Sequence, residues 1–123
     1  MRDTLTHRGP DAGGSALEAE GRIGLGHRRL AIIDLSQTGA QPMESASGRH
    51  VIVFNGEIYN FQSIRNELTA LGVDFRGTSD TEVLLEAIER FGLPGALGRA
   101  NGMFALAVYD RKKRQLAFAR DRL

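Results

Sequence analysis

The sequence predicts an α+β fold, with an antiparallel or mixed sheet and helices packed on it. Three features carry that expectation. The segments "MFALAVYD" (103–110) and "QLAFAR" (115–120) read as apolar strands joined by the charged turn "RKKR", a hairpin signal. Two helical patterns stand earlier in the chain, over 60–72 and 79–92. Strands and helices mix without the strict alternation that builds a parallel sheet. Both hairpin strands look apolar on both faces, which predicts a sheet covered on both sides.

The elements follow in order. In "MRDTLT", Met1 and Leu5 are four apart, as on the last turns of a helix. "HRGPDAGG" has the proline and glycines of a loop. "RIGLGHRRLAIID" alternates, with Ile23 and Leu25 on one face, and closes on the apolar run Leu30 to Ile33. It reads as two short strands or one bent strand. "LSQTGAQPMESASGRH" reads as a surface loop and "HVIVFN" (50–55) as a buried strand. Asn60 is an N-cap candidate, Phe61, Ile64, Leu68 and Leu71 share a face, and Gly72 is the C-terminal stop. "VDFRG" (73–77) reads as a short strand. Ser79 and Glu82 then form a capping-box pattern. Val83, Leu84, Ala87, Ile88 and Phe91 make the buried stripe of that helix, Gly92 ends it, and "LPGALGRANG" adds a helical turn.

Composition bounds the function. A chain of 123 residues suits one domain, 41% apolar and 25% charged residues are ordinary for a globular protein, and a net charge of +1 makes no case for a polyanion partner. "RKKR" lacks interleaved aromatics and lies in a turn, so nucleic acid is not expected. No apolar run approaches the roughly 20 residues of a membrane span, and no membrane partner is expected. The absence of cysteine excludes a disulfide frame, a thiolate metal site and a cysteine nucleophile in this chain. His7, His27 and His50 show no metal-ligand spacing, so no metal is expected. A cytoplasmic location fits these features.

Each candidate site has two readings. Asn55-Gly56 is either a tight turn or a pair of donors, a side-chain amide and a backbone N–H, that face one developing oxyanion. "EIYN" is too short for a return strand, and Gly56 has no side chain to block a ligand's approach. Asp80 is either a helix-start carboxylate or the partner of a substrate ammonium. With Ser79 already placed as the cap, its side chain is expected to be available for other work. Arg29 either pairs with Asp34 or another acid, or grips a carboxylate through two points. Taken together, Arg29, Asp80 and Asn55-Gly56 describe a free α-amino acid with a reactive side-chain carbonyl.

The motifs "HRGPD" (7–11), "HRRLAIID" (27–34), "GAQPM" (39–43), "FNGEIYN" (54–60), "SDTEVLLE" (79–86), "GMFALAVYD" (102–110) and "ARDR" (119–122) resemble, in order and rough spacing, the glutamine amidotransferase domain of glutamine-hydrolysing asparagine synthetases. The resemblance implies an N-terminal nucleophile hydrolase fold, an αββα sandwich. It implies hydrolysis of glutamine to glutamate and ammonia by an N-terminal cysteine, through a thioester. Ammonia then passes to a C-terminal synthetase domain, where ATP and magnesium activate aspartate; no cofactor is implied for the amidotransferase domain itself. Carried onto this sequence, Arg29 would hold the glutamine α-carboxylate, and Leu30, Ile32 and Ile33 would lie beside it through their backbone. Asn55 and Gly56 would form the oxyanion hole at the end of their strand, Glu57 would line the pocket, and Asp80 would take the α-ammonium.

The resemblance also implies that residues 1–123 are a partial domain, lacking the first strand with its cysteine and the later strands. The chain alone is then expected to be inactive, and unpaired sheet edges are expected to favour a homo-oligomer. The alternative is a cysteine-free module that binds glutamine or docks on a partner without catalysis.

Overall fold

The computed structural model describes the backbone of residues 12–18 and 23–29, and residues 40–121 in full. The helix tail expected at residues 1–6 and the apolar run Leu30 to Ile33 lie outside the described residues.

Strands β1 (Ala12–Glu18) and β2 (Ile23–Arg29) form an antiparallel pair. A second sheet has the order β3-β4-β5-β6, all antiparallel, with β3 at Met43–Glu44, β4 at His50–Ile58, β5 at Gly102–Asp110 and β6 at Gln115–Arg120. Helices α1 (Phe61–Ala70) and α2 (Asp80–Arg99) lie between β4 and β5 in the chain. The hairpin and both helices stand where the sequence puts them. Strand β1 does not: Gly13 and Gly14 give it the composition of a loop, and its pairing with β2 overrides that weak local preference.

Alternation along β4 sorts its side chains. Ile52, Phe54 and Ile58 join Leu106 and Val108 of β5, Ile64 and Leu68 of α1, and Val83, Leu84, Leu85, Ala87 and Ile88 of α2 in the main core. On the other face Val51 and Tyr109 are buried beside Val53 and Leu116, and β2 touches β4. Coverage of that face stops short of the hairpin's outer part, where Met103 is 54% and Phe118 74% exposed. The sheet is thus covered on both sides over only part of its area, because both helices lie on one face and β1 and β2 leave Met103 and Phe118 open.

The first half of α2, Asp80 to Ile88, is buried on all sides and not along one stripe. Its outer side is clothed by backbone and hydroxyl groups that bind its acids. Ser79 Oγ caps the helix by accepting from the Glu82 N–H at 3.1 Å. Glu82, 1% exposed, does not close the capping box; it accepts from the N–H groups of Arg76 (2.7 Å) and Gly77 (2.9 Å). These bonds explain why 73–77 is no strand. It has no strand neighbour among the described residues, and three of its donors go elsewhere: Arg76 and Gly77 N–H to Glu82, and Val73 N–H to Leu68 O at 3.0 Å. The loop after β3 binds Glu86 through Ala46 N–H (3.1 Å) and Glu89 through the hydroxyls of Ser45 (2.5 Å) and Ser47 (2.7 Å).

The helix stops largely follow the sequence. Gly72 has φ 93° after α1, and Gly92, at φ 78° and ψ 166°, breaks α2 before a second helical segment that carries Pro94. Leu71 is the C-cap of α1 and 43% exposed, so it stands off the buried stripe. Asn60 occupies the N-cap of α1 but its side chain makes no cap bond. It spans to the other end of the helical insert, donating to Arg99 O and accepting from Asn101 N–H, both at 2.8 Å. No described helix is long and apolar enough to cross a membrane.

The Glu82 contacts generate an expected outcome. Glu82→Ala leaves two part-buried N–H groups without this acceptor and lowers the unfolding free energy by about 2 kcal/mol. Glu82→Gln retains one acceptor oxygen and loses less. Urea unfolding of the three proteins measures both, and equal midpoints would contradict the anchoring role.

Candidate functional site

Strand β4 does not end at Asn55. It runs on to Ile58, with Asn55 opposite Ala105, Gly56 opposite Phe104, Glu57 opposite Met103 and Ile58 opposite Gly102. Asn55-Gly56 is therefore neither a hairpin turn nor a strand terminus. The reason lies on β5. Gly56 has φ 133°, and a Cβ there would stand 2.0 Å from Met103 O; a Cβ on Gly102 would stand 2.0 Å from Glu57 O. The two glycines let the strand backbones approach closely enough to continue the ladder. Gly56 is thus demanded first by β5, whatever access it also offers a ligand.

Hydrogen bonding along this stretch alternates. Tyr59 N–H, at an odd position, donates to Asn101 O at 2.6 Å, continuing the pairing with the β5 side. Phe54 and Ile58, at even positions, donate away from β5: Phe54 N–H to Gln41 Oε1 at 2.6 Å and Ile58 N–H to Asp80 Oδ2 at 2.8 Å. Gly56 lies between them in the same phase, so its N–H belongs to the outward row. Its register partner Phe104 is itself engaged with Asp121, through N–H to Oδ2 at 2.7 Å and O to N–H at 3.0 Å.

Asp80, the first residue of α2, is 6% exposed and docks on the end of this row. Its side chain is not wholly available, as the sequence suggested, because one oxygen holds Ile58 N–H. Burial pushes its carboxyl above the ordinary carboxylate range. Bonds from the N–H groups of Ile58, Thr81 and Asp80 itself pull the other way, and the charge of Glu57 adds to the rise. Among the described residues no cation pairs with Asp80. Asn55 is exposed and Glu57 half-buried, both on the sheet face away from the helices.

The structure thus brings Asn55, Gly56, Glu57 and Asp80 to one end of β4. Arg29 is the last residue of β2, the strand that touches β4, and pairs in register with Ala12; its side chain, like Leu30, Ile32 and Ile33, lies outside what is described. One residue at this site was not singled out from the sequence. Gln41 is 7% exposed, accepts from Phe54 N–H and donates through Nε2 to Thr81 Oγ1 at 3.2 Å. Its only signal was its place inside "GAQPM". Among the described residues no group of His, Asp and Glu is placed to hold a metal ion.

Comparison with known proteins identifies the family. A glutamine amidotransferase domain model matches residues 1–123. The chain belongs to the glutamine amidotransferase domain family. It is 43% identical over 125 residues to asparagine synthetase (glutamine-hydrolysing) 3 of Bacillus subtilis, spanning 100% of this chain and 20% of that protein. It is 41% identical over 121 residues to asparagine synthetase (glutamine-hydrolysing) 1 of the same organism, spanning 98% of this chain and 18% of that protein. The amidotransferase domain described here therefore spans about a fifth of the length of those relatives. The glutamine phosphoribosylpyrophosphate amidotransferase of B. subtilis superposes with a TM-score of 0.61 at 26% identity, over 72% of this chain and 21% of that one. The fold is that of the N-terminal nucleophile amidotransferases, with the helical layer and two sheets represented among the described residues.

The raised Asp80 carboxyl in this amidotransferase domain has a signed consequence. At about pH 3 the acid is protonated folded and unfolded, and Asp80→Asn changes stability little. As pH rises through the folded-state value, ionisation is favoured more in the unfolded chain, so the wild type loses stability that the variant keeps. Urea unfolding at about pH 3 and pH 7 is expected to show Asp80→Asn gaining on the wild type at the higher pH. A gain that shrinks with rising pH would contradict the assignment.

Proposed function

We propose that this domain binds L-glutamine and is the ammonia-supplying part of an asparagine-synthetase-like protein. The observation that carries the reading is the buried Asp80, which no cation among the described residues pairs with, bonded to the stretch of β4 that holds Asn55 and Gly56. An ionised Asp80 is a site for an α-ammonium, which would supply the charge that burial withholds. Asn55 Nδ2 and Gly56 N–H are the donors assigned to the carboxamide oxygen. Arg29, at the end of β2, is assigned to the α-carboxylate, flanked by the backbone of Leu30, Ile32 and Ile33, and Glu57 to the pocket wall.

In the reaction proposed for the whole protein, a thiolate adds to the glutamine carboxamide carbon and the C=O electrons move onto oxygen. Asn55 and Gly56 stabilise that oxyanion, an effect worth about 3–4 kcal/mol per donor in such sites. Collapse of the adduct expels the nitrogen, protonated, as ammonia, and water cleaves the thioester to glutamate. The 123-residue chain contains no cysteine, so its own part is to bind, orient and stabilise charge. ATP, magnesium and the acceptor, aspartate or a related acid, are assigned to the synthetase portion. The absence of cysteine favours a second reading for the chain taken alone, a glutamine-binding module without turnover.

Calorimetric titration with L-glutamine tests the proposal. Binding of one glutamine per chain is expected, with no ammonia released above a protein-free blank. Asp80→Ala and Asn55→Ala are each expected to weaken binding about tenfold or more. Because Asp80 must be ionised to hold an ammonium, affinity is expected to fall with pH as the raised Asp80 carboxyl takes up its proton. No heat with glutamine, or undiminished binding by Asp80→Ala, would end the reading.

A further inference from the structure

We propose that Gln41 is a positioning residue that sets the distance between the two ends of the glutamine site. The inference rests on the reading of Asn55-Gly56 and Asp80 as the carboxamide and ammonium ends of that site. It begins with the edge of β4. Strand β3 is two residues long and pairs with β4 only at Met43–Ile52 and Glu44–Val51. The next outward N–H, that of Phe54, lies beyond the two positions that β3 pairs. Gln41 supplies the acceptor with its side-chain carbonyl at 2.6 Å, standing where a neighbouring strand's backbone would.

The other end of the same planar amide donates to the hydroxyl of Thr81, so one rigid group spans two elements. The backbone it holds on β4 directly precedes Asn55, and the side chain it holds on α2 directly follows Asp80. Asp80 completes the attachment at Ile58. Of the outward N–H groups, those of Phe54 and Ile58 are thus fixed to side chains, one on each side of Gly56. The spacing between the amide donors and the carboxylate follows from these two attachments, and Gln41 is the one that contains no charge and contributes no group to the ligand.

The test uses the whole 123-residue chain with Gln41→Met, Gln41→Glu and Thr81→Val. Amide hydrogen exchange and nitrogen-resolved NMR are recorded without ligand, followed by titration with L-glutamine. In Gln41→Met, Phe54 N–H is expected to exchange about tenfold faster or more, the Gly56 N–H and Asn55 side-chain amide signals to shift, and glutamine affinity to fall about tenfold. Gln41→Glu keeps an acceptor for Phe54 N–H and can accept from the Thr81 hydroxyl, so it is expected to restore most of the affinity. Thr81→Val breaks only the α2 end and keeps the side-chain volume; it is expected to shift the same signals and weaken binding by a few-fold, and it decides the matter if Gln41→Met does not fold. Unchanged Asn55 and Gly56 signals, or shifted signals with unchanged glutamine affinity, would overturn the inference. Failure of the unaltered chain to bind glutamine would sink the functional reading instead, and the ligand-free spectra, which judge the positioning on their own, tell the two failures apart.

Discussion

The organisation of this domain depends on how the outer edge of β4 satisfies its backbone donors. A buried N–H without an acceptor costs about 1–3 kcal/mol, so a strand that outruns its neighbour must find substitutes. Strand β3 covers two positions of β4, and beyond it the chain recruits side chains: Gln41 at Phe54 and Asp80 at Ile58. Both acceptors come from segments remote in sequence, so satisfying the edge also fixes the β3 approach and the start of α2 against the sheet. The groups that line the candidate site are therefore held by the same bonds that make the core possible. Gly56 lies between the two attachments.

The acids of α2, and Asp110 at the end of β5, divide by what faces them. Glu89 stays below the ordinary carboxylate range despite desolvation, because Ser45, His50 and Ser47 donate to it. Asp110 is lowered well below that range by the two-point bond from Arg49 at 2.8 and 3.0 Å. Asp80 and Glu86 receive backbone N–H bonds, and burial outweighs them in both. Of these two, only Asp80 stands beside the strand end that carries Asn55 and Gly56. An ionised carboxylate buried in such a place destabilises the fold, and a cation set beside it would recover that cost.

Much of the fold was legible because its signals are local. The apolar stripe of α1, the glycine stops at 72 and 92 and the "RKKR" turn each depend on neighbours within a few residues. The misreadings share the opposite cause. Segment 73–77 has strand-like residues, but two of its donors, Arg76 and Gly77 N–H, belong to Glu82, and a capping box cannot announce that its glutamate will reach past the cap. Asn60 caps nothing because the backbone at 99–101 offers it two bonds instead of one. Asn55-Gly56 looked like a strand end because the glycine that permits continuation, Gly102, lies on another strand. For the site, residue type and family resemblance picked out Asn55, Gly56, Glu57 and Asp80, which the fold does bring together. They could not pick out Gln41, whose importance lies in the two remote groups, Phe54 N–H and Thr81 Oγ1, that its side chain joins.

The close approach of β4 and β5 explains why such a site can be rigid without a long loop to shape it. Past Ile58 and Gly102 the two chains stay joined, first by Tyr59 N–H to Asn101 O and then by the Asn60 side chain across Arg99 O and Asn101 N–H. The α1–α2 insert is thereby closed at its base, so its internal motions need not reach the strand end. Oxyanion stabilisation depends on donors already aimed before charge develops, since reorienting them during the reaction would consume the gain. A side-chain amide on one face of the strand and a backbone N–H on its edge satisfy that condition only if the peptide linking them cannot rotate. Pairing of Asn55 with Ala105 on one side, and the attachments at Phe54 and Ile58 on the other, remove that freedom. The unusual φ of Gly56 is then a consequence of holding both sides at once, a conformation that any Cβ at this position would deny to the chain.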